Sequence, residues 1–157
     1  AHLGFKSLTL RQSSTAIGGL RRIFYPEKKE GPRLEIRAFW GAVLRQDAEG
    51  MCAFFWPDAR VDWPNTGERF TVAEFLRANC EYPGQWEGEV ERVLSLPGEI
   101  VTVTRVWNRQ KTASHHAVSF FQVREGRIAA LEEYWGDDGP APQWRQAMHI
   151  GRRIGED

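Results

Sequence analysis

The stretch from Trp86 to Trp135 constrains this chain most. It holds four long runs rich in β-branched and aromatic residues: Trp86 to Leu96, Glu99 to Arg109 (EIVTVTRVWNR), Ser114 to Val123 (SHHAVSFFQV) and Ile128 to Trp135 (IAALEEYW). Alternation along each run predicts strands, and Pro97-Gly98 and Arg124-Glu125-Gly126 mark tight reversals between neighbours. Strands joined this closely pair antiparallel, so the four form one curved sheet. A sheet needs cover on one face, and helices must provide it from upstream, which makes the chain α+β.

The upstream pattern supplies that cover. Ile36, Phe39, Trp40, Val43 and Leu44 recur at helical spacing, with Arg37 and Arg45 on the other side. Asp47 caps an expected second short helix carrying Met51, Phe54 and Phe55, which Pro57 ends. Ala59 to Trp63 alternates like a strand, and Pro64-Asn65-Thr66-Gly67 turns it back into Glu68-Arg69-Phe70. Thr71 and Glu74 form a capping box that opens a third helix through Val72, Phe75, Leu76 and Cys80, stopped by Tyr82-Pro83-Gly84. The tail from Gly136 predicts a surface excursion and a short helix.

Charge and length exclude several functions. Twenty-one basic and 21 acidic residues cancel, so no whole-domain grip on nucleic acid is expected. The imbalance is local: residues 1–33 hold seven Lys/Arg against two acids, and none of those acids precedes Pro26. We therefore expect residues 1–32 to be a basic N-terminal extension and residues 33–157 a single domain, which suits 157 residues. No apolar run approaches the roughly 20 residues that span a bilayer, so no membrane partner is expected. Cys52 and Cys80 show no CxxC or Cys/His ladder, so neither a disulfide scaffold nor a zinc finger is expected, and a reducing cytoplasm fits. Nineteen aromatics, seven of them Trp, either fill a core or line a cavity with stiff walls.

The order of elements, with Phe55-Trp56-Pro57-Asp58-Ala59 before the first strand, Arg124-Glu125-Gly126-Arg127-Ile128 at the last hairpin and Glu133-Tyr134-Trp135 beyond it, resembles the nuclear-transport-factor-2-like superfamily in its SnoaL-like branch. The resemblance covers about residues 33–150. It implies a cone-shaped α+β barrel with a pocket between curved sheet and helices, often in a homodimer formed sheet to sheet. Its members include ketosteroid isomerases, scytalone dehydratases, limonene epoxide hydrolases, polyketide cyclases and binders without activity, so the fold leaves function open.

Strand parity decides which residues enter such a pocket. A two-residue turn at Glu125-Gly126 demands positive φ of Glu125, so a three-residue loop with Gly126 left-handed is expected. That register pairs Ala117 with Glu133 and His115 with Trp135, and places His115, Ala117, Ser119, Leu131, Glu133 and Trp135 on one face. The other register substitutes His116 for His115; one of the two histidines enters the pocket. Arg105 is expected to meet Glu133 across Ala117, on a face shared with Val101, Val103 and Trp107. Limonene epoxide hydrolase resembles this region with an arginine bridging two aspartates; Arg105 matches the arginine and Glu133 one acid, while Trp107 stands in place of the other.

Together these imply a pocket for a small, largely apolar molecule carrying a carbonyl, hydroxyl or epoxide oxygen, without cofactor or metal. The reaction would be isomerisation, dehydration, cyclisation or hydration: Glu133 moves the proton, Arg105 orients it, and the inward histidine donates to the developing oxyanion with Asn65 or Tyr82 at the mouth. Trp63, Trp107, Ser119 and Trp135 complete the expected ligand-binding set. The competing reading is a ligand-binding or dimerisation module whose polar groups satisfy one another.

Overall fold

The computed structural model of this chain describes residues 32–155. The basic extension expected over residues 1–32 lies, except for Pro32, outside the described residues.

Helix α1 (Ile36–Leu44) buries Ile36, Phe39 and Trp40 as their spacing predicts, and Ala42 besides, while Val43 and Leu44 are half-buried. Asp47 caps α2 (Ala48–Cys52), its carboxylate accepting from the Gly50 amide at 2.9 Å. This helix ends sooner than expected, because Phe55 already begins β1 (Phe55–Trp63), and Pro57 lies within that strand. Pairing of β1 with its neighbour is irregular between Phe55 and Arg60, and the strand on its other side pairs only from Arg60 onward. No regular ladder bond is therefore demanded of Pro57.

A turn leads into β2 (Glu68–Thr71), and Thr71 with Glu74 forms the expected capping box at the head of α3 (Val72–Cys80). Four long strands follow, β3 (Trp86–Leu96), β4 (Glu99–Asn108), β5 (Ser114–Arg124) and β6 (Arg127–Asp137), and then the short α4 (Gln143–Ala147). The sheet order is β2-β1-β6-β5-β4-β3, antiparallel throughout except for the parallel β1–β6 pair. Helix α1 packs against β3 and α3 against β1, so a curved sheet wraps the helices in a cone-like α+β fold.

The β5–β6 hairpin departs from expectation in two ways that cancel. Arg124 pairs with Arg127 across a two-residue turn, with Glu125 at φ 50° and Gly126 at φ 75°. Glu125 accepts the left-handed strain. Gly126 is needed for a second reason: a Cβ there would lie 2.9 Å from the Pro32 carbonyl oxygen. The register then shifts between Gln122 and Val123, so that Ser119 faces Glu133, Ala117 faces Trp135 and His115 faces Asp137. Partners move by two positions relative to expectation, and faces are preserved because the side-chain period is two.

On β4 the parity is reversed from the expected one. Thr104, not Arg105, sits opposite Ala117, and Arg105 pairs with His116. The inward residues are Thr102, Thr104 and Val106, all buried. Both faces of β4 carry β-branched residues, so alternation alone does not distinguish them.

Candidate functional site

The strands end in opposite ways. Toward the β5–β6 turn, Phe39 packs edge-to-face against Phe54, Phe55 and Phe121 with ring centroids 5.5 to 5.8 Å apart. At the other end the sheet and helices splay around a cavity of about 330 Å³. Each wall is the terminus of an element: Trp63 closes β1, Asn65 lies in the turn after it, Tyr82 follows α3, Trp86 opens β3, His115 lies near the start of β5 and Trp135 near the end of β6. Val43, Leu44 and Val106 add apolar surface, and Gln46 and Asn79 add amides.

The aromatic walls are tied down through their nitrogens. Trp63 Nε1 donates to Glu133 Oε2 at 3.0 Å, and Trp135 Nε1 donates to the same oxygen at 3.4 Å. Ser119 Oγ donates to Glu133 Oε1 at 3.0 Å. Trp86 Nε1 donates to the Pro83 carbonyl at 3.0 Å, and its ring lies 5.4 Å from that of Tyr82 and 5.6 Å from that of His115.

Glu133 is only 2% exposed. Burial pushes its carboxyl above the ordinary carboxylate range, and the bonds from Trp63, Ser119 and Trp135 partly offset that. Glu133 and Ser119 do not line the cavity; they lie behind Trp63 and Trp135. Glu133 thus takes hydrogen bonds from two cavity walls without reaching the space itself.

His115 lines the cavity, and its Nδ1 lies 2.8 Å from Asp137 Oδ1. A carboxylate only accepts, so Nδ1 carries the hydrogen of this contact, and Nε2 is the ring nitrogen turned away from Asp137. Asn65 Oδ1 accepts from the Trp135 amide at 3.1 Å.

Three expected site residues face the other way. His116 sits on the outer face of the sheet, with Nδ1 bonded to Asp138 and Nε2 3.3 Å from Glu91. Arg105 is beside it, its Nε 3.2 Å from Ser114 Oγ and 3.5 Å from Asp138. Trp107 donates to Glu87 at 3.1 Å, with the Arg105 guanidinium 5.8 Å from its ring centroid. The expected pairing of Arg105 with Glu133 is therefore corrected: a strand cannot send adjacent parities to one face without a bulge, and β4 pairs with β5 in continuous register. The same correction separates the arginine and acid matched to the epoxide hydrolase pattern.

The structure thus gathers Trp63, Asn65, Tyr82, His115 and Trp135 at one cavity, holds Glu133 and Ser119 behind it, and sets Arg105, Trp107 and His116 outside. Sequence reading missed Gln46, Asn79 and Asp137. The sequence places Asp137 in the surface excursion expected from Gly136, because its pairing with His115 depends on the register shift in the hairpin. Among the described residues no cluster of three or more His, Cys, Asp or Glu side chains is arranged to hold a metal ion. No helix among them is long and apolar enough to cross a membrane.

Comparison with known proteins agrees with this architecture. A protein of Kribbella flavida DSM 17836 that carries the name of a ketosteroid isomerase superposes with a TM-score of 0.64 at 25% identity, covering 78% of this chain and 88% of that one. An NTF-2 like protein of unknown function from Burkholderia xenovorans LB400 gives 0.62 at 24% identity, covering 76% and 92%. An LEH-like epoxide hydrolase of M. tuberculosis gives 0.54 at 16%, covering 64% and 79%, a likeness of fold. No protein of curated function matches the chain in sequence. The SnoaL-like domain matches residues 36–131, well over half of the chain, and this protein belongs to that SnoaL-like family.

Proposed function

We propose that this chain binds a small, largely apolar organic molecule carrying a polar oxygen in the cavity at the open end of the sheet, and that His115 performs cofactor-free acid/base chemistry on it. The observation that carries this is one histidine, its Nδ1 paired with Asp137, in a wall that is mostly aromatic and aliphatic and otherwise polar only through neutral groups such as the Gln46, Asn65 and Asn79 amides. Such a wall buries a ligand's apolar surface, while a single base fixes where a proton moves. Asp137 orients the ring and stabilises the imidazolium formed when Nε2 takes a proton. Glu133 has a supporting role in this reading: it holds Trp63 and Trp135 from behind, and Arg105 braces the outer face.

The test is turnover of a panel of lipophilic ketones, enols and epoxides by the parent chain and by His115→Gln. We expect turnover to fall by about 10² to 10⁴ in the variant with binding largely kept. Equal turnover by both chains overturns the catalytic assignment. A second reading, a binding module without catalysis, is favoured by one observation: the Asp137 side chain is 91% exposed, which weakens its hold on the ring. Under that reading the parent binds panel members and converts none.

We further propose a homodimer through the outer face of the sheet. Leu94, Phe120 and Tyr134 are exposed there, and Phe120 and Tyr134 meet edge-to-face at 6.2 Å. Sedimentation at micromolar concentration should give a dimer; a clean monomer rejects it. The free cysteines Cys52 and Cys80 support a reducing, cytoplasmic setting for the protein.

A further inference from the structure

Beyond β6 the chain continues as an arm that the rest of the molecule does not cover. Every residue from Gly136 to Gly155 is exposed, and none of them joins the core. The arm nevertheless carries Trp144, Met148, Ile150 and Ile154, each more than half exposed. Its backbone bonds close on itself, from the Met148 amide to the Trp144 carbonyl at 3.2 Å and from the Ile150 amide to the Arg145 carbonyl at 3.1 Å. A five-residue helix makes too few such bonds to persist in water by itself, so α4 needs a surface to pack on. Between Gly139 and Gly155 the chain also holds Arg145, Arg152 and Arg153 and no acid. The surface that suits this arm is apolar and acidic together.

The outer face of β3 has that character. This strand is an edge of the sheet, and Glu87, Glu89, Glu91, Leu94 and Leu96 are exposed along it. Register sets Glu87, Glu89 and Leu94 opposite Trp107, Arg105 and Val101 of β4, the parity that faces away from buried Thr102, Thr104 and Val106. Glu91 is on the same side, since its Oε2 lies 3.3 Å from Nε2 of the outward His116. Glu89 has no ion-pair partner among the described residues, because Arg105 opposite it turns to Asp138 at 3.5 Å. The acids lie toward the open end, where β3 begins and where the arm leaves β6.

We infer that the arm of each copy crosses to the other copy of a homodimer and packs along the outer face of its β3, apolar side chains covering Leu94 and Leu96 and arginines facing Glu87, Glu89 and Glu91. A two-fold axis along β5 sets β6 of one copy over β4 of the other with both open ends pointing the same way, which brings the arm beside the acidic stretch. Area argues for the exchange as well. Stable dimers bury roughly 1,600 Å². Exposed Leu94, Leu96, Phe120 and Tyr134 supply only part of that, and two exchanged arms add the rest. This inference rests on the homodimer proposed above and adds the segment that holds its copies together.

The test is sedimentation of the full-length parent and of two charge-reversed chains over a micromolar concentration series. Arg145→Glu with Arg152→Glu makes the arm acidic, and Glu89→Lys with Glu91→Lys makes the face basic. All of these positions are exposed, and thermal melting checks that each chain folds. Each reversed chain alone should dimerise about tenfold more weakly than the parent or worse, since like charges then meet. An equimolar mixture of the two should recover dimerisation to within about threefold of the parent, because each arm then finds a face of opposite charge on the other copy. A parent that stays monomeric removes the homodimer reading and this inference with it. Reversed chains that dimerise as well as the parent overturn the inference and leave the homodimer standing. Weakening without recovery in the mixture also overturns it, since the charges then act within one chain. Should a reversed chain not fold, salt decides: parent dimerisation that does not weaken between about 50 and about 500 mM NaCl overturns the inference. If the parent but not Trp144→Ser sediments with phosphatidylserine vesicles while both dimerise equally, the arm serves a membrane surface and the inference falls.

Discussion

The closed and open ends of this sheet are both aromatic, yet one is solid and the other hollow, and the difference lies in which aromatic residue each end uses. At the closed end Phe39 meets Phe54, Phe55 and Phe121 edge-to-face, and Phe39 and Phe121 are fully buried. A phenyl ring has no polar atom to partner, so it is free to settle wherever packing is best, and the rings close on one another. At the open end three of the rings, Trp63, Trp86 and Trp135, are indoles beside Tyr82, and each indole N–H needs an acceptor. Glu133 holds those of Trp63 and Trp135, and the Pro83 carbonyl holds that of Trp86. A ring anchored by its nitrogen is restrained from swinging inward to fill the space beside it. Tethered indoles keep a cavity of about 330 Å³ open where untethered phenyls would have collapsed it.

The largest effects should separate the two ends by stability against binding. Phe39→Ala removes the ring common to the closed cluster and should cost about 3 to 5 kcal/mol in denaturant unfolding. Trp86→Ala, at a half-buried wall, should cost only ~1 kcal/mol while abolishing the ligand response. If both substitutions cost the same stability, the open end is ordinary core and the contrast fails.

The tether itself comes next. Glu133→Leu leaves two indole N–H groups without their acceptor and should destabilise by about 2 to 4 kcal/mol. Glu133→Gln has the opposite expectation. Its carbonyl accepts from both indoles and its amide donates to Ser119, much as a protonated Glu133 does, so stability near pH 7 should be kept or raised. The pH dependence sharpens this. Burial raises the folded-state value of Glu133 above its ordinary 4.5, against the hydrogen bonds of Trp63, Ser119 and Trp135, so the folded chain holds a proton that the unfolded chain has released. The stability from the neutral acid is complete below the unfolded value and is lost as pH rises through the folded one. Its slope is at most about 1.4 kcal/mol per pH unit, and Glu133→Gln should flatten it. A parent and variant with parallel pH profiles would show an ionised, compensated Glu133.

A smaller effect lies between the ends. Thr104 Oγ1 is buried on the inner face of β4 and makes no hydrogen bond among the described residues. Thr104→Val keeps the shape and removes the orphaned hydroxyl, so melting should show a gain of about 1 kcal/mol. A loss would mean that this hydroxyl has a partner in solution.

The closed end was more legible in the sequence than the open one, for a physical reason. Helical spacing of Ile36, Phe39 and Trp40, the Thr71–Glu74 capping box and the four long runs are local signals, and each element formed close to where its pattern placed it. Site residues depend on parity, which one inserted residue reverses. His115 faced the cavity as the preferred register required, although neither the turn nor the regular ladder behind that register was found. Arg105 failed because β4 offers Val101 and Val103 on one face and Thr102 and Thr104 on the other, with little to choose between them. Gln46 left no trace in the sequence, since a glutamine after a helix carries no sign that its backbone is left-handed and its amide doubly bound.

The smallest predicted effect lies at the turn on which that parity depends. Glu125 and Gly126 both have positive φ, and Asn-Gly is the pair such a turn prefers, because asparagine tolerates the left-handed region better than glutamate. Glu125→Asn should therefore add about 0.5 kcal/mol, seen as a higher denaturation midpoint at unchanged slope. The substitution lies at the far end of β5 and β6 from the cavity and touches none of its walls. Ligand affinity should not move, since the register is set by the bulge between Gln122 and Val123 as well as by the turn. A stabilised variant with altered affinity would show that the strain at Glu125 bears on the hollow end, and that the two ends are not independent.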